Sequence, residues 1–466
     1  MSSGEVGHPE RHQRVTAAGL AAAGGAVVLL SLGFGSVPLT LRAQGIPAAS
    51  LCALLLLVPV LLVTRFRPLT PILGIVAAFA GFAFVHSLVA LGVEALGGTL
   101  ADVRVLSWAR QVVALFAGVA VFLVLRATLM SLKERTVAGL LVAGTVPNLV
   151  LALINVVWGV SGWEGAGGVV KAARSAIVPL GLAVPSYYTV PNRVAGFFLE
   201  PAQLAFYLAV VAVPVTVALA LAPGRGRDVA FAALVAELLA FFWAYSGTGY
   251  AVGCGMLLAL ALADRRVRVW GLAAIATILL SLLAMSYVFP GNYLQYQLTS
   301  LASGVLEGDL TEAGVSVSIP VCSSFGPFAR VFSSLNLLGY GLGGAATHLP
   351  EMVPAAALVP LTAGSWQGMP NLATSLGRVF VETGLAGLLL FASLWVVAFR
   401  TLGRLRAAVP ARSLEGMMLV AAALALVGIA VGHTVKFGSY AAPYLWFWLA
   451  YVDSRYLLKG RQLHQD

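Results

Sequence analysis

The sequence predicts an all-α, polytopic integral membrane protein with about twelve transmembrane helices and two long extracytoplasmic segments. Hydrophobic residues make up 60% of the 466 residues and charged residues only 10%, with a mean hydropathy of +0.94. Soluble chains carry roughly 25% charged residues. Apolar runs of membrane-spanning length recur along the chain, and clusters of Lys and Arg occupy every second gap between them.

The apolar runs are long enough to cross a bilayer, which takes a helix of about 20 mostly apolar residues. The first run follows a short basic segment as a signal peptide would, but no small-x-small cleavage site ends it, so it predicts an uncleaved helix. Two runs meet around Ser246, and the last run is short and contains Pro443. The predicted spans are 15–35, 46–64, 70–92, 108–126, 136–158, 202–222, 229–245, 249–264, 269–289, 376–399, 413–432 and 439–455.

The distribution of basic residues predicts that both termini lie inside. Cytoplasmic loops carry the excess of Lys and Arg because moving these charges across the bilayer is unfavourable. In this register 19 of the 28 basic residues lie inside, and merging any two runs would invert the pattern downstream. The others lie outside, where we expect the function: Arg42, Arg104, Arg110, Lys171, Arg174, Arg193, Arg330, Arg378 and Lys436.

Charge and cysteine content exclude other classes. The net charge of +10 would suggest a nucleic-acid partner in a soluble protein, but the membrane topology accounts for most of it, so we expect none. Cys52, Cys254 and Cys322 are scattered, which predicts neither a disulfide framework nor a metal site.

We expect one membrane domain over 1–466, with extracytoplasmic segments at 159–201 and, larger, at 290–375. The first segment contains an amphipathic pattern, which predicts a helix along the outer surface that ends at Pro179. The second ends in aromatic residues around Trp366, which suit sugar rings and the lipid interface alike. The apolar face of the surface helix comprises Val169, Val170, Ala173 and Ile177, with Lys171 and Arg174 on the opposite side.

The stretch PNRVAGFFLEPAQLAFY is the first candidate site. Arg193 precedes a spanning helix, and Glu200 and Pro201 stand at its start. Proline suits the first turn of a helix, whose N–H groups and dipole favour anions. An arginine beside such an end predicts a phosphate site, although an arginine anchored at the headgroups would give the same pattern.

The stretch GPFARVFSSLNLLGYGLGG is the second. Arg330 precedes an apolar helical run, and a glycine-rich turn at Gly339–Gly344 follows. The glycines indicate either a flexible loop or a close approach of backbone to a ligand. His348 comes next, as a candidate base or a surface residue.

The stretch NLATSLGRVFVETGLAGLLLF is the third. Arg378 and Glu382 are four apart and share a face of the tenth predicted span, where they form either a site or a self-neutralising pair. Asn371 precedes them. Gly384 and Gly387 predict close helix packing.

Two weaker patterns remain. Ser246 and Thr248 at an outward hairpin tip offer hydroxyl groups to an anion, or simply form a tight hairpin. Glu237 and His86 within spans would suit the proton relay of a transporter, or are satisfied core residues.

The three stretches together resemble the O-antigen polymerase and O-antigen ligase superfamily, and the resemblance covers nearly the whole chain. The likeness consists of a basic residue before a Gly-Phe-x-x-Glu-Pro-like helix start, an arginine ahead of a Gly-x-Gly-x-Gly-like turn, and an asparagine before a Glu-x-Gly-x-x-Gly helix. The matching residues are Arg193, Gly196, Phe197, Glu200 and Pro201; Arg330, Gly339, Gly341 and Gly343; and Asn371, Glu382, Gly384 and Gly387.

The resemblance implies an integral-membrane glycosyltransferase of the GT-C type that uses neither metal nor cofactor. Its donor is a glycan on undecaprenyl diphosphate in the outer leaflet of the bacterial cytoplasmic membrane, and its site faces the periplasm or cell exterior. Polymerases transfer the chain to another carrier-linked unit, and ligases transfer it to lipid A-core. A flippase and a chain-length regulator are possible protein partners. A flippase for the same lipid is the alternative from another class.

The resemblance also assigns roles and favours the polymerase. Ligases carry a histidine near the asparagine, where this chain has Met369 and Pro370, and often Ser-Arg at the hairpin tip, where Ser246 precedes Gly247. Arg193 and Arg330 would bind the diphosphate, and Glu200, Glu382 and His348 compete as the base. Supporting substrate contacts would come from Lys171, Arg174, Arg378, Asn371, Ser246 and Thr248.

Overall fold

The structure, a computed structural model, describes residues 9–34, 36–37, 46–63, 69–177, 193–198, 200–224, 226–263, 265, 268–288, 337–352 and 374–463. Its helices are α1 (Pro9–Ser31), α2 (Ala48–Val63), α3 (Pro71–Leu96), α4 (Asp102–Leu129), α5 (Glu134–Ser161), α6 (Glu164–Ile177), α7 (Pro201–Leu221), α8 (Arg227–Trp243), α9 (Gly247–Ala263), α10 (Arg268–Val288), α11 (Ala345–Met352), α12 (Ser375–Ala408), α13 (Leu414–Val435) and α14 (Pro443–Leu463). Two short antiparallel strands, β1 (Ser36–Val37) and β2 (Ile46–Pro47), precede α2.

The chain is an all-α membrane protein. A helix covers most of each of the twelve predicted spans. Six of the described helices, α3, α4, α5, α7, α12 and α13, are long and apolar enough to cross a membrane by length and composition. Hydroxyl caps start several of them: Thr70 Oγ1 accepts from Leu73 N–H at the start of α3, and Ser413 Oγ accepts from Gly416 N–H at the start of α13.

Helix α14 lies in the centre of the bundle. Every residue from 443 to 455 is buried, and the helix packs on α4, α12 and α13. Pro443 is tolerated because it is the first residue of the helix, where its missing N–H has no intrahelical partner. Helix α7 contains a π-turn at Leu208–Ala212, and the Val210 carbonyl within it accepts from Trp448 Nε1 of α14 at 2.8 Å.

One end of the bundle, here the ion-pair end, joins α4, α5 and α14 through buried charges. Arg126 Nε lies 2.5 Å from Asp453 Oδ2, and Arg455 Nε lies 2.7 Å from Glu134 Oε1. Burying these groups is tolerable only because each charge has a partner. The opposite end, here the site end, carries the segments described below.

The surface helix predicted in the first outer segment exists as α6, but its buried face differs from the prediction. Val170 is buried, whereas Val169 is exposed and Arg174 is buried. The prediction for Arg174 was wrong because its guanidinium donates to the Phe198 carbonyl at 3.2 Å, which compensates for burial. Lys171 is exposed, as expected, above the Trp158 ring.

Helix α12 is interrupted at Gly384, where φ is 64° and ψ is −164°. The prediction that this glycine serves close helix packing was therefore incomplete, because it breaks the helix. The break exposes backbone groups to the glycine-rich turn. Tyr340 N–H donates to the Val381 carbonyl and Leu385 N–H donates to the Leu337 carbonyl, both at 2.8 Å.

Candidate functional site

Residues 193–198, which lead into α7, form a short segment held by its backbone. Asn155 Nδ2 donates to the Arg193 carbonyl at 2.9 Å, and Val194 N–H donates to the Trp243 carbonyl at 3.2 Å. Asn148 Oδ1 accepts from Phe197 N–H at 2.9 Å. Because α5 and α8 hold the backbone of this segment from two sides, its side chains are attached at fixed positions.

Gly196 explains why this turn approaches α5 so closely. Its φ is +54°, and a Cβ at this position would lie 2.7 Å from Asn148 Oδ1. Only glycine fits both the backbone conformation and the space. The amide of Asn148 also donates to the Gly33 carbonyl after α1, so one buried side chain connects three segments.

Arg193 and Glu200 flank this turn. The Arg193 side chain is half-buried and close enough to the Tyr250 phenol of α9 for a charge interaction. Glu200 is the N-cap residue of α7, but its side chain does not cap the helix. Instead its Oε2 lies 2.5 Å from Lys436 Nζ, from the segment between α13 and α14.

This connecting segment, residues 436–442, links the α7 entrance to α12. Phe437 stacks on Phe206 of α7 with ring centroids 4.0 Å apart, and its backbone pairs with Thr374. Its carbonyl accepts from the Ser375 hydroxyl at the start of α12. The connecting segment thus brings together the predicted sites around Glu200 and Glu382.

Backbone strain concentrates beside the same turn. Within the described part of the chain, the non-glycine residues with positive φ are Tyr245, at 44°, and Phe437, at 52°. Tyr245 follows the Trp243 carbonyl that accepts from Val194, and Phe437 follows Lys436. Such conformations cost of order 1–3 kcal/mol each and cluster at functional sites.

Glu382 lies in a different environment, fully enclosed at the break in α12. One carboxylate oxygen accepts from Gly343 N–H and the other from the Tyr440 hydroxyl, each at 3.0 Å. Arg378 and Arg104 both act on its charge. Tyr440 thus connects the segment before α14 to the break in α12.

The glycine-rich turn is fixed by helices on three sides. Arg104 of α4 donates to the carbonyls of Tyr340 and Leu342, each at 2.7 Å, and pairs with Glu94. A Cβ on Gly343 would lie 2.5 Å from the Ser107 backbone. The glycines predicted either a flexible loop or a close approach of backbone to a ligand; in the structure they let the turn approach α3, α4 and α12 closely.

The other predicted site residues have simpler surroundings. His348 stacks on Tyr340 with ring centroids 4.0 Å apart. Ser246 Oγ accepts from Gly249 N–H at 3.1 Å, as a cap of α9, and Thr248 is half-buried beside it. Arg330 and Asn371 lie outside the described residues.

Three residues at the site end had no predicted role: Arg104, Lys436 and Tyr440. Two of them belong to the basic residues predicted outside, so the charge pattern contained a signal for them. Tyr440 carried none, because its contact with Glu382 joins residues 58 positions apart. Among the described residues, no three His, Cys, Asp or Glu side chains group as metal ligands.

Comparison with known families found no matching family model, and no curated protein matches the chain.

Proposed function

We propose that the protein is a polymerase that joins undecaprenyl-diphosphate-linked oligosaccharide units at the outer face of the bacterial cytoplasmic membrane. The observation that carries the proposal is the arrangement around residues 193–200: an arginine and a carboxylate flank one anchored turn, beside a lysine and both strained residues. A cation for a leaving diphosphate and a carboxylate for an incoming hydroxyl are the groups that this transfer needs.

The proposed step uses these groups directly. The acceptor hydroxyl oxygen forms a bond to the anomeric carbon of the donor glycan, while the bond from that carbon to the diphosphate oxygen breaks. The diphosphate leaves with the electron pair, and Arg193 stabilises its growing negative charge. The hydroxyl proton passes to Glu200. Arg330 remains a predicted second cation for the same group.

Glu200 is the better candidate base because it is accessible. Its side chain is 27% exposed, whereas Glu382 is 1% exposed and both its oxygens already accept hydrogen bonds. A base must reach the proton that it removes. Glu382 would then support the site by fixing the glycine-rich turn and the connecting segment, with Arg378 acting on its charge.

The polar contacts support twelve alternating crossings, and the GT-C-like arrangement rests on the resemblance. Contacts between distant segments join residues predicted on the same side: Arg104 with Leu342 and Lys436 with Glu200 outside, and Arg126 with Asp453 inside. A helix that failed to cross would mix the two sets. The orientation itself rests on the positive-inside pattern.

The position of the charges favours a transferase over a flippase. A flippase would need charge along a path through the membrane. Here Glu200 and Lys436 lie at helix ends, and Arg193 lies in the segment that leads into α7, on the same side of the bundle. Glu237, deep in α8, accepts from Thr216 at 2.8 Å, as a core residue would. The resemblance, with its departures from the ligase pattern, favours a polymerase over a ligase.

The proposal is tested with Arg193→Ala and Arg193→Lys in purified protein supplied with a synthetic diphosphate-linked repeat unit. We expect a ladder of products from the wild type and a loss on the order of 100-fold in Arg193→Ala, as for removal of one charge-stabilising donor. Arg193→Lys should recover part of the product formation, because lysine keeps the charge without the bidentate geometry. Arg404→Ala, exposed at the ion-pair end of α12, is the matched control.

Other outcomes separate the alternatives. Products formed only with a lipid A-core acceptor would replace polymerase by ligase. In cells, Arg193→Ala should let single units reach the outer face without being joined, whereas their accumulation on the cytoplasmic side would support a flippase. Wild-type yield in Arg193→Ala would refute the role of this site.

A further inference from the structure

Lys436 has features that the proposed function leaves unused. It is a basic residue of the site end, contacts a candidate catalytic carboxylate, and precedes one of the two strained non-glycine residues in the described chain. Its own φ of −153° and ψ of −148° end α13 abruptly. The chain there turns so that the lysine faces α7 rather than continuing the helix.

The conformation that presents Lys436 is enforced from several directions. Phe437 is stacked on Phe206, its backbone pairs with Thr374, and its carbonyl accepts from Ser375. These contacts offset the cost of a phenylalanine at φ 52°. A surface lysine that merely balanced a carboxylate would not need such a support, because its side chain is long and flexible.

The exposure of the ion pair distinguishes it from the structural pairs. The side chains of Lys436 and Glu200 are 37% and 27% exposed, whereas those of Arg126 and Asp453 are 7% and 1% exposed. Breaking a buried pair strands a charge, whereas a pair that water reaches contributes much less to stability. The Lys436–Glu200 pair can therefore open at little cost when a stronger anion arrives.

We propose that Lys436 is a substrate-binding residue that exchanges Glu200 for the donor diphosphate. This inference rests on the proposed function and deepens it. The diphosphate carries more negative charge than one carboxylate and forms charge-assisted hydrogen bonds with the ammonium group. When Lys436 moves to the diphosphate, Glu200 loses its partner and is left to accept the acceptor hydroxyl proton. Donor binding thus prepares the base.

The exchange is tested by titrating undecaprenyl diphosphate into the full-length protein in nanodiscs. We expect Lys436→Met to raise the Kd on the order of 10-fold or more, the effect of losing a hydrogen bond to a charged group. Lys436→Arg, which keeps the charge, should bind within a few-fold of wild type. Lys459→Met is the matched control, because Lys459 forms an ion pair of similar exposure (28% and 25%), although longer at 3.8 Å, with Glu415 at the ion-pair end.

Glu200→Gln should change the Kd in a direction that an ordinary salt bridge does not predict. If Glu200 competes with the diphosphate for Lys436, its removal should lower the Kd several-fold while it abolishes the product ladder. A Kd that is unchanged or higher in Glu200→Gln, or unchanged in Lys436→Met, would overturn the exchange. Lys436→Arg guards against misfolding, since both its Kd and its unfolding temperature should stay near wild type.

The exchange and the proposed function can fail separately. A wild-type protein that makes no ladder, but shows the expected shifts in Kd, would retain Lys436 as a lipid-diphosphate ligand and remove the polymerase proposal. A ladder that depends on Arg193 but not on Lys436 would retain the polymerase and remove the exchange.

Discussion

Two carboxylates near the proposed site have opposite surroundings, and this difference gives the first prediction at the scale of single residues. Glu200→Gln should lower product formation about 10²–10⁴-fold, the usual contribution of a general base. Its unfolding temperature should change little, because a partly exposed ion pair contributes little stability. Parallel measurement of the product ladder and thermal unfolding in detergent checks this.

Glu382→Gln should instead act mainly on stability rather than on product formation. It removes a buried charge that interacts with Arg378 and Arg104, and it breaks a hydrogen bond to Gly343 or Tyr440. We expect the free energy of unfolding to fall by about 1–3 kcal/mol, the cost of a buried polar group left without its hydrogen bond. A Glu382→Gln protein with wild-type stability and no activity would instead make Glu382 the base.

At the scale of elements, the glycine-rich turn packs closely between α4 and α12. Gly343→Ala should destabilise the protein by at least about 1–2 kcal/mol, because φ is +77° and the new Cβ would lie 2.5 Å from the Ser107 backbone. Gly139→Ala in α5 is the control, since nothing lies within 4 Å of its Cβ. It should leave stability equal or slightly higher. Equal unfolding temperatures in both variants would contradict the packing described for the turn.

The sequence predicted where helices occur much better than how they meet. Apolar run length predicted a span at 439–455, whereas α14 begins at Pro443 and continues to Leu463, and the proline and short run concealed that it is a buried central helix. Amphipathic spacing found α6 and assigned Arg174 to the wrong face, because periodicity cannot show that the Phe198 carbonyl offers a buried partner. Gly384 matched a packing motif, yet a positive φ is a property of the folded backbone.

The sequence also identified only some residues of the candidate site. Arg193 and Glu200 were chosen as candidates because they share one short stretch with a helix start. Lys436 was counted among the outside cations, but its contact with Glu200 spans 236 positions. No local pattern contains such a pair.

At the scale of the whole molecule, the alternating topology predicts which ends impermeant reagents reach. In a background with Cys52, Cys254 and Cys322 replaced by alanine, Thr99→Cys and Ser161→Cys should react with an impermeant maleimide in intact cells. Ser131→Cys and Arg404→Cys, exposed at the other end, should react only after permeabilisation. Labelling of both sets in intact cells, or the reverse pattern, would contradict the proposed crossings and the outward site.

The central place of α14 has a consequence for biosynthesis. This helix and the connecting segment before it follow the other described helices in the chain, yet they fill the middle of the bundle and complete the contacts of Glu200 and Glu382. A ribosome-bound chain that stops short of Lys436 therefore lacks the contacts that link the entrance of α7 to α12. Its α4 and α5 also lack the partners of Arg126 and Glu134. We expect the nascent protein to stay open at its centre, without an assembled site, until α14 inserts.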